Sequence, residues 1–126
     1  MGATHRCWRC VSHATNYLKI ATALSKDRRS GVAMGFYRRA LDMVPQLAPV
    51  QFGIGTLLAR GGRSEDAIPY YRAALTTWPG YAEARYNLGL ALAATGQAQE
   101  AAREYTDLAR VHRADEGLNY GRAATQ

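Results

Sequence analysis

The sequence has few of the features that mark secreted or membrane proteins. Among its 126 residues are two cysteines, Cys7 and Cys10, which are too few and too close together for a disulfide framework. No run approaches the roughly 18 consecutive apolar residues of a membrane span. The N-terminal stretch has no convincing secretory signal. The sequence therefore predicts a cytoplasmic protein without a membrane partner.

The short motifs of common catalytic chemistry are also missing. There is no phosphate-binding glycine loop, no nucleophile elbow and no H-E-x-x-H helix. Glu100, Glu104 and Asp107 recur at helical spacing among Arg103 and Arg110, which is typical of a solvated face of ion pairs. We therefore predict that the protein is not an enzyme and needs no cofactor.

Acidic residues are fewer than basic ones, 10 against 16, so the formal net charge is +6. The excess lies in residues 1–47, where Arg28-Arg29 and Arg38-Arg39 stand in pairs. Adjacent arginines on a helix point to different sides, which dilutes a phosphate-binding surface, so we expect no nucleic-acid partner. The same basic end is suited to an acidic protein.

A 34-residue period runs through most of the chain, in residues 14–47, 48–81 and 82–115. In the second repeat Ala67, Tyr71 and Ala74 lie at i, i+4 and i+7, so they share one face of a helix. The recurring positions are Ile20, Ile54 and Leu88; Ala21, Gly55 and Gly89; Leu24, Leu58 and Leu92; Ala33, Ala67 and Ala101; and Tyr37, Tyr71 and Tyr105. A period of this length predicts stacked helix pairs.

Breaks within and after each repeat complete the pattern. Gly61-Gly62 and Gly96 supply tight turns, and Pro45 and Pro79 cannot continue a helix. The small residues should let helices approach closely while Ile and Leu fill the space beside them. The tyrosines are predicted to pack where the next repeat begins.

These residues resemble the tetratricopeptide repeat family, whose first helix carries an aromatic, Leu-Gly and Tyr, and whose second carries Ala, an aromatic, Ala and Pro. The resemblance covers residues 14–115. It implies an all-α fold, a right-handed α-solenoid of three helix–turn–helix repeats. Outside it lie residues 1–13, expected to extend the first helix, and 116–126, a short tail or partial cap. The departures are Ala21 for glycine, Arg28 in the first turn, and Gln51 and Arg85 for the aromatic kept as Tyr17.

The resemblance also implies a concave groove, lined by the first helices, that binds peptides or protein segments. The fifth residue of each first helix should face it. We expect the following residues to bind the partner: Leu18, Thr22, Phe52, Thr56, Tyr86, Asn87 and Leu90. An apolar row flanked by hydroxyls and one amide suits a segment with hydrophobic anchors. The alternative is that these side chains are partly buried between helices or covered by the N-terminal segment.

Some members of the family clamp the C-terminal carboxylates of chaperones with Lys and Asn. The matching positions here hold Leu18, Thr22, Gly53, Glu83 and Asn87. Only Asn87 is of the expected kind, and Glu83 would repel a carboxylate. The sequence therefore disfavours chaperone-tail binding. Solenoid ends left uncovered are adhesive, so self-association through the terminal repeats is a further expectation.

The N-terminal segment leaves two interpretations open. Cys7 and Cys10, with His5 and His13, are residue types that bind zinc, but a single C-x-x-C without a second pair is a weak signal. The favoured interpretation places both cysteines on an apolar helical stripe as packing residues, with no metal. The alternative function is a metal- or redox-responsive assembly module that uses Cys7 and Cys10.

Overall fold

The described part of the chain, residues 8–110 of this computed structural model, consists of six helices and contains no strand. Its helices are α1 Trp8–Lys26, α2 Ser30–Met43, α3 Ala48–Arg60, α4 Ser64–Thr77, α5 Ala82–Ala94 and α6 over residues 98–110. The second helices begin 34 residues apart, as do α3 and α5. The predicted all-α repeat solenoid is confirmed.

The helix ends follow from the breaking residues. Helix α2 ends two residues before Pro45, and α4 ends two residues before Pro79, because proline disfavours the helical conformation in the residue before it. Residues 8–13 belong to α1. The rest of the N-terminal segment, the end of the third repeat and the tail over 116–126 lie outside the described residues.

Consecutive helices pack against one another, and the first helices of neighbouring repeats also touch. Contacts join α1 to α2, α3 to α4 and α4 to α5, while α3 lies against both α1 and α5. Small residues are fully buried at these joints; examples are Ala21, Ala33, Ala67 and Ala74. Because α1, α3 and α5 lie side by side, the faces that they turn away from the second helices form one continuous wall.

Tyrosine rings seated on glycines bring the helices of a pair together. A Cβ atom added to Gly55 would lie 2.9 Å from the ring of Tyr71, and one added to Gly89 would lie 2.7 Å from that of Tyr105. Both tyrosines therefore contact the first helix of their own repeat. Tyr71 also packs in one buried cluster with Leu88 and Leu92 of α5, at the start of the next repeat, as predicted. Tyr37 also reaches the next repeat, where its ring is 2.5 Å from a Cβ built on Gly53.

Ile20 differs from its counterparts in the later repeats. Its side chain is 43% exposed, against 1% for Ile54 and 2% for Leu88. Ile54 and Leu88 are packed in clusters with residues of the preceding helix pair, whereas no helix precedes α1 in the described residues. The expectation that Ile20 fills the core is therefore wrong.

Two polar side chains replace the aromatic of the first helix in a common way. Gln51 donates from Nε2 to the carbonyl oxygen of Pro45 at 3.3 Å. Arg85 donates from Nη2 to that of Pro79 at 3.1 Å. Each side chain thus ties its helix to the proline that closes the preceding repeat.

The turns inside the three repeats share one left-handed residue. Gly62 and Gly96 have φ of 82° and 85°, and Arg28 occupies the same position with φ of 63°. The next amide then donates back across the helix end, as from Arg29 to the oxygen of Leu24 at 2.9 Å, which is the Schellman pattern. A residue with a Cβ atom is disfavoured there by about 1–2 kcal/mol.

We expect Gly55→Ala to lower the free energy of unfolding by about 1–3 kcal/mol, because the new methyl group overlaps the Tyr71 ring. Gly35→Ala is the matched control: Gly35 is exposed inside α2 with open space at its Cβ position, so alanine should add about 0.5–1 kcal/mol. Urea unfolding followed by circular dichroism measures both. Equal effects of the two changes would contradict the tyrosine-on-glycine contact.

Arg28→Gly should raise the free energy of unfolding by about 0.5–1 kcal/mol. Glycine removes the conformational cost of the left-handed backbone at this position. That gain exceeds the free energy by which the more flexible glycine stabilises the unfolded chain. The reciprocal change, Gly62→Ala, meets no atom within 4 Å and should lower stability through conformation alone. A lower stability of Arg28→Gly in the same urea series would contradict this account of the turn.

Candidate functional site

A groove of about 510 Å³ runs along the wall formed by α1, α3 and α5. Five of the seven predicted binding residues line it: Leu18, Thr22, Phe52, Thr56 and Asn87. Tyr37, Gly53 and Tyr81 complete its apolar side. The structure therefore brings together residues that are up to 69 positions apart in the sequence.

The floor of the groove is aromatic. Phe52 lies 6.0 Å from the ring of Tyr71 and 5.1 Å from that of Tyr81, measured between ring centroids. It packs against two of the buried clusters, so it supports the fold as well as lining the groove. Leu18 is likewise half-buried against the first cluster.

The hydroxyl groups predicted to face a ligand are mostly engaged within the protein. Thr22 and Thr56 donate to the oxygens of Leu18 and Phe52 on their own helices, at 2.8 and 2.9 Å. The Thr56 hydroxyl also accepts long hydrogen bonds from the Tyr71 hydroxyl, 3.4 Å, and from Asn87 Nδ2, 3.5 Å. These contacts place the Asn87 amide beside Thr56 at the edge of the groove.

Tyr71 sits beneath this polar group of side chains. Burial raises the pKa of Tyr71, and the hydrogen bonds with Thr56 and Asn87 oppose that shift in part. The phenol therefore stays neutral and donates to Thr56 beneath the smaller cavity that adjoins the groove.

The two remaining predicted residues, Tyr86 and Leu90, lie on α5 to either side of Asn87 in the sequence. Leu90 is 47% exposed and lines a smaller cavity of about 340 Å³, which shares Thr56 and Asn87 with the groove. Tyr86 is 50% exposed and pairs with Tyr105 at 6.0 Å. It is not among the residues that line either cavity.

Charged side chains at the groove were not predicted as ligand contacts. Lys26 and Arg60 lie at one end, and Glu83 also lines it. Arg60 Nη1 donates to Ser25 Oγ at 3.0 Å, a contact 35 residues long in sequence. Arg60 stands 34 residues after Lys26. The repeat period would therefore have shown that these two cations occupy equivalent positions.

The acidic residues of α6 pair with neighbouring helices rather than forming only a solvated face of their own. Glu104 accepts from Arg85 Nη1 at 2.8 Å, with both side chains about one-fifth exposed. Glu100 pairs with Arg72 of α4. Asp107 makes the predicted contact with Arg110 of its own helix at 4.0 Å and also meets Arg85 of α5 at 3.9 Å.

The N-terminal candidates for metal binding are only partly described. Cys10 is half-buried and His13 exposed, both on α1, whereas Cys7 and His5 lie outside the described residues. Within residues 8–110 no three side chains of His, Cys, Asp or Glu are grouped to hold a metal ion. The metal alternative stays a prediction. None of the helices in residues 8–110 is long and apolar enough to cross a membrane.

Comparisons with known proteins agree on the repeat. A family model described as tetratricopeptide repeat matches residues 52–124, more than half of the chain. No curated protein sequence matches significantly.

Solved structures share the fold. A crystal structure of MamA superposes with a TM-score of 0.77 at 20% identity, over 82% of this chain and 61% of MamA; the chain thus spans about three-fifths of that protein. The second repeat domain of Spaghetti (RPAP3), bound to the HSP90 peptide SRMEEVD, superposes with a TM-score of 0.73 at 17% identity, over 76% of this chain and 89% of that domain. At these identities the similarity shows the fold alone.

Because of Tyr81, we expect the free energy of unfolding to depend on pH in the alkaline range. Burial, and then the charge of Glu83, raises the pKa of Tyr81 from its usual value near 10 to about 12. Because the pKa of Tyr81 is higher in the folded than in the unfolded chain, the folded state is favoured while the phenol is neutral. This contribution to stability is fully present below pH 10 and is lost as pH rises toward 12. The free energy of unfolding should fall over that window, by at most about 1.4 kcal/mol per pH unit from this group.

Urea titrations at several values between pH 8 and 12 measure the fall. Tyr81→Phe keeps the ring contact with Phe52 and should make the fall shallower. Tyr86→Phe is the control, because its ring is half exposed in the folded protein, and it should retain the wild-type dependence. A Tyr81→Phe profile parallel to that of the wild type would contradict the assignment.

Proposed function

This chain belongs to the tetratricopeptide repeat family, and we propose that it is a non-enzymatic adaptor or scaffold that binds a segment of a partner protein in its groove. The family fold is in general a protein-interaction fold rather than a catalytic one. What is specific to the proposal is the place of binding, along α1, α3 and α5.

The observation that carries this proposal is the groove itself. Its volume of about 510 Å³ is within the range of small binding clefts. Its floor presents half-buried Leu18 and Phe52, and Asn87 lies at its edge beside Thr56. Apolar surface with a few fixed polar groups is suited to a segment with hydrophobic anchors and main-chain amides.

The structure solved with the HSP90 peptide is a similar fold with a ligand of its own. In this chain Glu83 and Gly53 line the groove at two of the positions that match the family's carboxylate clamp. Gly53 offers no side chain there. A carboxylate at this place would meet a negative charge. We therefore propose an internal segment as the ligand, rather than a free C-terminal carboxylate.

The sequence alternative, assembly controlled by Cys7 and Cys10, stays a prediction. No metal-binding group among residues 8–110 favours it, and Cys7 lies outside them. Self-association through the terminal repeats is likewise a prediction, consistent with the exposed Ile20.

The test needs a variant that changes the binding surface without damaging the core. Phe52 is unsuitable, since it packs against Tyr71 and Tyr81. Leu90 is 47% exposed beside Asn87, so Leu90→Asp places a charge in the smaller cavity at little cost to folding. Val32→Asp is the matched control, because Val32 is 54% exposed on α2 and lines neither the groove nor the smaller cavity that shares Thr56 and Asn87 with it.

We expect phage display of random twelve-residue peptides on the wild type to select hydrophobic-anchored sequences. In fluorescence polarisation these peptides should bind Leu90→Asp about tenfold or more weakly, the loss of one interface anchor, and Val32→Asp as the wild type. Failure to select any peptide, or equal binding to Leu90→Asp, would contradict the proposed site. An acidic C-terminal peptide that bound only with its free carboxylate would contradict the proposed ligand class.

A further inference from the structure

A further cavity, of about 640 Å³, lies beside the turn between α1 and α2. We call it the basic pocket. It is lined by Ser25, Lys26, Arg28, Ser30 and Arg60. Ser25, Lys26 and Arg60 also line the groove, so the two cavities adjoin. Three of the five side chains are cationic and none is acidic.

These cations are not neutralised within the described part of the chain. No ion pair among residues 8–110 involves Lys26, Arg28 or Arg60. The carboxylate adjacent in sequence, Asp27, pairs instead with Arg29 at 3.4 Å. The basic pocket therefore keeps an uncompensated positive charge, which attracts an anion.

The three repeats provide an internal comparison, because residues 34 apart occupy equivalent turns. The first turn holds Ser25, Lys26 and Arg28; the second holds Ala59, Arg60 and Gly62; the third holds Ala93, Ala94 and Gly96. The fold alone thus requires no cation at these places. Arg28 even replaces the glycine that the left-handed conformation favours.

Arg60 is oriented toward the pocket by its neighbour across the repeat boundary. Its Nη1 donates to Ser25 Oγ at 3.0 Å and to the Ser25 carbonyl oxygen at 3.4 Å. Ser25 is buried, so it is a firm anchor. A guanidinium has five N–H donors in a planar fork, and those not used by Ser25 are left for a ligand.

We propose that the basic pocket binds a phosphorylated serine or threonine side chain of the segment that lies in the groove, an inference that rests on the proposed function. A phosphate ester carries close to two negative charges and three strong acceptor oxygens at neutral pH. Three cations and the Ser30 hydroxyl match it in charge and in donors. A single carboxylate would leave most of that charge uncompensated.

The same geometry orients the segment. Its phosphorylated residue lies at the α1–α2 turn, its hydrophobic anchor lies over Phe52, and its far end approaches Glu83 on α5. Glu83 favours a basic or hydrogen-bond-donating group there. A partner in which a basic residue, an apolar residue and a phosphoserine follow one another is the expected recognition pattern.

The direct test is a titration of isotopically labelled protein with N-acetyl-phosphoserine amide, followed by amide resonances at constant ionic strength. Shifts should concentrate at residues 25–30 and at Arg60. Arg60→Gln and Arg28→Gly should each weaken binding about tenfold, the effect of losing one charge-assisted hydrogen bond. Arg38→Gln removes an exposed charge of α2 that does not line the pocket, and it should bind as the wild type does.

Arg28→Gly also separates binding from folding, since its thermal stability should not fall below that of the wild type. Equal affinity of Arg28→Gly, Arg60→Gln and wild type would overturn the proposal. Tighter binding of N-acetyl-aspartate amide at the same residues would assign the pocket to an acidic side chain. A ten-nucleotide polyuridine that shifted these amides at lower concentration would assign it to RNA.

The basic pocket and the groove function fail separately. Phosphoserine amide is too small to reach Leu90, so its binding does not depend on a groove peptide. If the small probe binds but no displayed peptide depends on Leu90, the groove function is contradicted and the pocket stands. If groove peptides bind and the probe does not, only the basic pocket is contradicted.

Discussion

The close approach of two helices through a tyrosine ring and a glycine is the contact on which the rest of the fold depends. In the second and third repeats the rings of Tyr71 and Tyr105 lie only 2.9 and 2.7 Å from where a Cβ atom of Gly55 or Gly89 would be. Because no side chain separates them there, the helices of a pair lie close enough to bury alanines elsewhere along the joint. That spacing in turn lets α1, α3 and α5 stand side by side and form the groove.

The period predicted the fold because apolar spacing, glycine turns and proline stops all point to the same helices. It could not predict contacts made at long range by polar side chains. Arg60 reaches Ser25 across 35 residues, and Arg85 reaches Glu104 on α6. Neither pair follows a local spacing rule, since each depends on how neighbouring repeats are placed. Ile20 was predicted wrongly because periodicity does not show whether another helix packs before α1, and among the described residues none does.

The predicted groove residues show the same difference between features that sequence spacing predicts and contacts that it does not. Leu18 and Phe52 line the groove, although both also support the core. The hydroxyls of Thr22 and Thr56 donate to backbone oxygens of their own helices, which no composition argument would have distinguished from ligand contacts. Departures from the family pattern have structural uses too: Gln51 replaces an aromatic and still bonds to the proline carbonyl before it.

The contact between Arg60 and Ser25 joins the first repeat to the second, and this has a consequence for how the array melts. In a repeat array each unit is held only by its neighbours, so an end unit frays before the middle ones. A ligand that touches both α1 and α3 binds only while the first pair is docked. By mass action, a ligand at a hundred times its Kd stabilises that docked form by about 2.7 kcal/mol. Occupancy of the groove would then keep α1 and α2 docked against α3, so a bound partner would stabilise the first helix pair.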